Sequence, residues 1–419
     1  MNAAGTTAAG LRRTAAVLLA AAAAYLVLTD WIIAPWSASV AFAAVFTAAG
    51  VTAVCALGED FEIRTAWVLV PLAAVVLLGL AQLALGTPDY RFATWWSTLG
   101  WAAALALVWS GLQAFSAPGA TDAFRRAAVA AGALLALEAV LQLFSGDPRI
   151  YGLVRLEDQL PMGPFLNRDH YCALMELILP LALWGGIRNR RWAWIYFTSA
   201  GVMYASVIAS TSRAGLAIAT LEIVVLLVLG IRLKRTQADP RAGRMTAAIA
   251  TLAAVGGGVA GWSAVLERFQ SKDLFAYRGE FLVSTLRMIH DRPFLGFGLG
   301  SWPWVYPRYA IIDPVAVANH AHNDWAEWTS EGGILFGALI ALVALRCCWL
   351  SLEMPWGIGA VAVFAHAAVD FPFQRPPLLL AVLLVLVILE VEHSRHRPLS
   401  PRAGVQASPT GVESPSEVY

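Results

Sequence analysis

Residues 319–345 read NHAHNDWAEWTSEGGILFGALIALVAL. The first fifteen hold two histidines, two asparagines, one aspartate and two glutamates. The next twelve carry no polar side chain at all. A helix that is apolar on every face belongs in lipid or in a protein core, and a water-exposed surface cannot hold it. The junction therefore reads as a point where the chain enters a membrane, with titratable groups gathered at the entry.

The rest of the chain agrees with that reading. Of 419 residues, 59% are hydrophobic and only 14% are charged, a balance that excludes an ordinary soluble domain. Apolar runs near 20 residues recur along the length, each long enough to cross about 30 Å of hydrocarbon as a helix. Backbone polar groups find no water in lipid, so spans rich in Ala and Leu must be helices. The expected fold class is an all-α polytopic integral membrane protein. About twelve transmembrane helices are expected, at 14–33, 37–57, 66–86, 98–116, 123–145, 171–187, 193–211, 214–232, 246–266, 331–350, 357–371 and 376–392. The run RRTAAVLLAAAAAYLVL from Arg12 is too long for a cleaved leader and is read as a retained first helix.

Lys and Arg orient the spans, because short cytoplasmic loops are enriched in them. A cytoplasmic N-terminus puts Arg12, Arg13, Arg125, Arg126, Arg188, Arg190, Arg191 and the RLKR run inside, with the tail's Arg395, Arg397 and Arg402. The expected domains are a cytoplasmic N-terminus at 1–13, a membrane domain at 14–392 with one large periplasmic loop at 267–330, and a disordered cytoplasmic tail at 393–419. The tail is rich in Ser, Pro and Gly. Four cysteines, Cys55, Cys172, Cys347 and Cys348, fall in or beside apolar segments without metal spacing, so neither a disulfide framework nor a zinc site is expected.

Every unusual polar cluster then falls on the periplasmic side, although none was used to set the orientation. GPFLNRDHY (163–171) precedes the sixth span. STSRAG (210–215) is a tight turn between two spans. YRGEF (277–281), LRMIHDRPFLGFGLGSWPW (286–304) and the opening NHAHND lie in the long loop, and HAAVDFPFQRP (366–376) ends the eleventh span. Charges at a membrane edge are expensive and usually functional, which singles out Arg213. A snorkelling anchor is its bland alternative. GFGLG lacks the Walker lysine and the strand context of a phosphate loop and reads as a flexible turn. His366 and Asp370 are spaced to pair on one helical face, structurally or catalytically. His320 and His322 would point apart on a helix, and the WAEW run signals helix onset there, so metal ligation is the minority reading. Glu327 and Glu331 share a face with Asn323, and a histidine near acids is the usual setting of a general base.

These motifs, in this order and at these topological places, resemble the O-antigen ligase and O-antigen polymerase family of bacterial envelope proteins over roughly residues 150–375. The carriers are the S-T-S-R-A-G turn, R-G-E-F, D-R-P-F-L-G-F-G-L-G-S-W, N-H-A-H-N-D, N-R-D-H and V-D-F-P-F. The sequence reads N-R-D-H-Y where an asparagine before the histidine is more usual in the family, so Asp169 is a departure.

The resemblance implies an inverting glycosyltransferase of the GT-C type in the bacterial inner membrane. Its donor would be an undecaprenyl-pyrophosphate-linked glycan and its acceptor a hydroxyl of lipid, glycan or protein at the periplasmic face. Membrane lipid is the expected surrounding partner. No nucleic acid, cofactor or required metal is expected. The catalytic residues it implies are His322 as base with Arg213 and Arg278. Arg287, His320, Asn323, Asn167, His170 and Asp370 are the expected substrate-binding residues, with Asn323 placed to orient His322. A repeat-unit polymerase or a protein O-oligosaccharyltransferase shares the same donor chemistry. A transporter or flippase is the rival outside enzymes, and scarce mid-membrane polar residues speak against it.

Overall fold

The computed structural model describes residues 3–58, 62–156, 161–189, 191–234, 273–311 and 318–396. The described residues form helices α1 (Ala3–Leu28), α2 (Pro35–Ala56), α3 (Leu69–Leu85), α4 (Arg91–Ala114) and α5 (Ala120–Ser145). A small antiparallel pair follows, β1 (Arg149–Ile150) and β2 (Val154–Arg155). Then come α6 (Arg168–Arg188), α7 (Ala193–Ser210), α8 (Arg213–Lys234), α9 (Asp273–Asp291), α10 (Trp302–Val305), α11 (Asp324–Glu353), α12 (Ile358–His366) and α13 (Pro376–His396).

Among the described residues, seven helices are long and apolar enough to cross a membrane: α1, α2, α5, α6, α7, α11 and α13. The chain is a multi-pass membrane protein of the all-α class. The expected spans at 66–86 and 357–371 correspond to shorter apolar helices, Leu69–Leu85 and Pro355–His366. Those at 98–116 and 214–232 coincide with α4 and α8. The span at 246–266 lies outside the described residues.

Burial sorts the helices into layers. In α6, 83% of the most apolar window is buried and in α13 72%, against 28% in α2 and 33% in α5. A helix apolar all round and buried all round is an interior helix, and α13 is one: Val382 through Leu389 are all buried. The peripheral helices turn Val54, Leu77, Leu134 and Leu141 outward, as lipid-facing surfaces do. Arg346 forks onto both Glu390 oxygens at 2.8 and 2.7 Å, tying α11 to α13.

The loop expected at 267–330 is not free of regular structure. It holds α9 and α10, and the helix that contains the span expected from 331 begins at Asp324, at the onset expected from the WAEW run. Asn323 causes that start: its side chain caps the helix by accepting from Ala326 N at 3.0 Å. On α9, Phe281, Ser284, Thr285 and Met288 form a buried stripe at helical spacing. Phe281 and Met288 pack with Phe297, Trp302, Val305, Tyr306 and Ala321 into a second small core. Burial and the Glu280 carboxylate push the Tyr306 phenol upward, so it stays a donor, reaching Glu280 Oε2 at 2.6 Å.

The GFGLG run is a docked packing loop, where a flexible turn was expected. Gly296, Gly298 and Gly300 all have positive φ. The amides of Phe297 and Gly298 donate to the carbonyls of Ser330 and Glu331, so they do not face a ligand. The loop sits on a kink at Gly333 (φ 70°) inside α11. A Cβ on Gly333 would lie 2.0 Å from the Phe294 carbonyl oxygen. Gly333→Ala is therefore expected to lower the thermal midpoint in detergent. Its backbone, at φ 70° and ψ −176°, lies in a region essentially confined to glycine, which costs another residue about 1–3 kcal/mol, and the collision adds to it. Gly50→Ala, with open space around it and helical backbone, is the control and should not fall. An unchanged midpoint for Gly333→Ala would contradict the docked-loop account.

Candidate functional site

Two polar ends face away from each other along α6. Its first turn holds Asp169 and its last turn Arg188, some 19 residues apart and so separated by roughly 28 Å at 1.5 Å per residue. That matches the thickness of a bilayer's hydrocarbon. At the Arg188 end, Arg125, Arg126, Arg188 and Asn189 line a cavity of about 820 Å³. At the Asp169 end a second cavity, of about 480 Å³, is lined by Asn167, Asp169, Arg213, Arg278 and His322 among others. Four motifs far apart in sequence thus meet in one place.

Each motif is shaped to present its side chain. Asn167 caps α6, accepting from Asp169 N at 2.8 Å. In STSRAG, Thr211 ends α7 in the left-handed region (φ 57°). Ser212 accepts from Gly215 N at 3.0 Å, capping α8, and donates to Asp169 Oδ1 at 2.6 Å. Gly215 lets α8 approach α6 closely, since a Cβ there would lie 2.5 Å from Cys172 Cβ. Arg213 is thereby the first residue of α8, at the cavity wall. In YRGEF, Arg278 donates to Asp169 Oδ2 at 3.2 Å and to the Val369 carbonyl at 3.0 Å. The starts of α6 and α8 both line the cavity, and helix N-termini favour anions.

His322 sits at φ 51°, a strained conformation for a non-glycine residue and of the kind that clusters at functional sites. Its ring stacks on Phe281 at 6.0 Å and meets Phe371 edge-on at 4.7 Å. Nδ1 lies 2.8 Å from Asp370 Oδ1. Asp370 is fully buried, while the histidine reaches the cavity. The turn bearing Asp370 is pinned from α11: Asp324 N donates to the Ala367 carbonyl at 2.8 Å, and Asp324 Oδ2 accepts from Phe373 N at 2.9 Å.

The other expected residues fall as follows. Asn323 caps α11 and donates to the Ala368 carbonyl at 2.9 Å, so its bonds fix backbone, and Asp370 is the group on the His322 ring. His320 stacks on Phe371 at 4.4 Å and is held at Nδ1 by buried Glu327 at 2.9 Å. His170 is buried, 3.4 Å from Asn167 through Nε2 and edge-on to Phe371. Arg287 is exposed on α9, nine residues beyond Arg278, and does not line the cavity. His366 and Asp370, expected to pair with each other, take different partners: His366 Nδ1 lies 2.9 Å from Glu176 on α6. One donor atom from each of Asp169, His366 and Asp370 lies within 4.8 Å of the others, the ligand types that can hold a metal ion. Sequence reasoning missed the roles of Asp169, Glu176, Phe281 and Phe371. The one available signal was Asp169 beside a helix-capping asparagine.

A buried carboxylate on one imidazole nitrogen, with the other nitrogen left for the cavity, is an arrangement able to accept a proton there. Two arginines on the facing wall suit an anion with several oxygens. Residues 199–342 match the family model described as O-Antigen ligase. That span includes Arg213, Arg278, His320, His322 and Asn323, while Asn167, His170 and Asp370 lie outside it. No curated protein matches the chain.

Proposed function

From the match of residues 199–342 to the family model described as O-Antigen ligase, we propose that the chain is an inverting glycosyltransferase acting on a glycan carried by undecaprenyl pyrophosphate. The family acts on lipid-linked glycans, which makes a glycosyltransferase-like activity the coarse expectation. The observation that carries the finer reading is the meeting, in one cavity, of a carboxylate-held histidine with two arginines.

The proposed step runs as follows. Asp370 accepts from His322 Nδ1–H and so leaves Nε2 as the basic nitrogen. Nε2 takes the proton of the acceptor hydroxyl as its oxygen bonds the sugar's anomeric carbon. The bond from that carbon to the pyrophosphate oxygen breaks, and the electron pair leaves with the lipid pyrophosphate. Attack opposite the departing group inverts the anomeric centre. Arg213 and Arg278 stabilise the growing charge on the leaving group, helped by the starts of α6 and α8. Asn167 lines the cavity beside them, while His170 and His320 pack on Phe371 and Asn323 caps α11 behind that lining. The acceptor is a hydroxyl of lipid, glycan or protein.

The proposed frame is a GT-C architecture of twelve spans in the bacterial inner membrane. Its membrane domain covers 14–392, the outer segment 267–330 faces the periplasm, and the terminal stretches 1–13 and 393–419 face the cytoplasm. The segregation of Arg125, Arg126 and Arg188 to the end away from the site supports that orientation. In a cysteine-free background, a cysteine replacing Leu153 should react with an impermeant thiol reagent from the periplasm, and one replacing Asn189 should not. The reverse labelling pattern would put the site in the cytosol, where no periplasmic transfer can occur.

A further inference from the structure

His366 ends α12 and is fully buried, yet the transfer step above does not use it. Its Nδ1 lies 2.9 and 3.0 Å from the two oxygens of Glu176, itself fully buried on α6. Its Nε2 is buried with no bonding partner. Four residues on, Asp370 uses Oδ1 for His322 and leaves Oδ2 buried without a partner. A buried polar atom left unbonded costs about 1–3 kcal/mol, so two unbonded atoms from facing groups call for an explanation. One atom of His366, one of Asp370 and one of Asp169 lie within 4.8 Å of one another. Since Nδ1 is committed to Glu176, Nε2 is the nitrogen left to serve the two site carboxylates.

Those carboxylates have separate duties. Asp370 orients His322, and Asp169 seats Arg278. The same turn, 366–370, also offers the Val369 carbonyl to Arg278. We propose that the Glu176–His366 pair is the positioning element of the site: protonated on Nε2, the ring donates to Asp370 Oδ2 beside Asp169 and so holds the base and the arginine clamp in one fixed relation. The proposal rests on the reading of His322 as the base. A buried imidazole calls for partners on both nitrogens, and Glu176 serves only Nδ1. This ring stands between Glu176 on one side and, on the other, Asp169 of the cavity wall and Asp370 behind His322.

A test with two readouts separates this inference from the functional reading. Full-length protein in detergent is treated with diethyl pyrocarbonate, and peptide mass spectrometry follows the rate of modification at His322. No donor or acceptor is needed. His366→Leu should change the His322 rate as much as Asp370→Asn does, and adding His366→Leu to Asp370→Asn should change it no further. His366→Gln keeps a donor near the Nε2 position and should be displaced less than His366→Leu. Glu176→Gln, nearly the same in volume, should move the rate in the same direction as His366→Leu and guards against a folding defect. In transfer assays His366→Leu should lose about 10–100-fold, the size typical of outer groups that orient a functional side chain. A wild-type His322 rate in both His366→Leu and Glu176→Gln overturns the proposal. So does a divalent ion that copurifies in equal amount with the wild type and is lost from His366→Leu, because Nε2 would then hold a metal and not a proton. Coupled His322 rates without any transfer by the wild type would sink the functional reading alone.

Discussion

Replacing His322 by alanine is expected to cut glycan transfer by about 10²–10⁴-fold, the usual contribution of a general base, while the protein accumulates and binds donor as before. The physical reason is the acceptor proton. A sugar or protein hydroxyl is a poor nucleophile until its proton has somewhere to go, and His322 is the imidazole that reaches the cavity. Asp370→Asn should also fail, because the amide loses the charge that stabilises a protonated imidazole and can turn its NH2 toward Nδ1, which favours the other tautomer. His320→Ala should cost much less. That ring is held by Glu327 and stacked on Phe371, outside the residues that line the cavity. If His320 proves essential and His322 dispensable, the base has been assigned to the wrong histidine. The comparison needs matched expression, since Phe281 also stacks on His322 and the small outer core can feel its loss.

The second large effect concerns the leaving group. Arg278→Ala should abolish transfer, and Arg213→Lys should fail almost as badly as Arg213→Ala. A departing lipid pyrophosphate concentrates negative charge that many transferases neutralise with a divalent cation held by paired acids. This sequence has no D-x-D pair. Guanidinium is always charged and forks onto two oxygens, whereas an ammonium keeps the charge and loses the fork. Arg278 is already fixed from two sides, by Asp169 at 3.2 Å and the Val369 carbonyl at 3.0 Å, so it is arranged before substrate arrives. Activity should then survive EDTA. Strict dependence on added Mg²⁺ or Mn²⁺ would overturn this arginine account and turn attention to the Asp169, His366 and Asp370 cluster. Near-normal transfer by Arg213→Lys would show that charge alone suffices.

Much of the site was legible in the sequence for one reason. Charged and amide side chains at the edges of apolar runs are costly, so STSRAG, YRGEF and NHAHND stood out against their surroundings. The helix onset at WAEW was legible too, because Asn323 is a strong capping residue placed just before it. Pairings were not legible. His322 and Asp370 are 48 residues apart, and Glu176 and His366 are 190 apart, and no local spacing announces either contact. The i, i+4 rule suggested His366 with Asp370, but the helix ends at His366, and the bonds the structure shows take His366 Nδ1 to Glu176 and Asp370 Oδ1 to His322. α9 was missed although Phe281, Ser284, Thr285 and Met288 recur at helical spacing, because half of that stripe is polar. The three glycines of GFGLG looked like slack, whereas each makes a close contact with α4, α11 or Pro88 just before α4. Lipid-facing and buried apolar helices share one composition, so the sequence alone did not separate interior α6 and α13 from peripheral α2 and α5.

The most direct measurement of the central claim uses purified full-length protein in EDTA with a synthetic undecaprenyl-pyrophosphate oligosaccharide and a panel of lipid, glycan and peptide acceptors. The account predicts release of undecaprenyl pyrophosphate coupled one for one to a glycosylated acceptor. The new linkage should have the inverted anomeric configuration, and His322→Ala should produce neither product. Retained configuration, or equal release by wild type and His322→Ala, would contradict it.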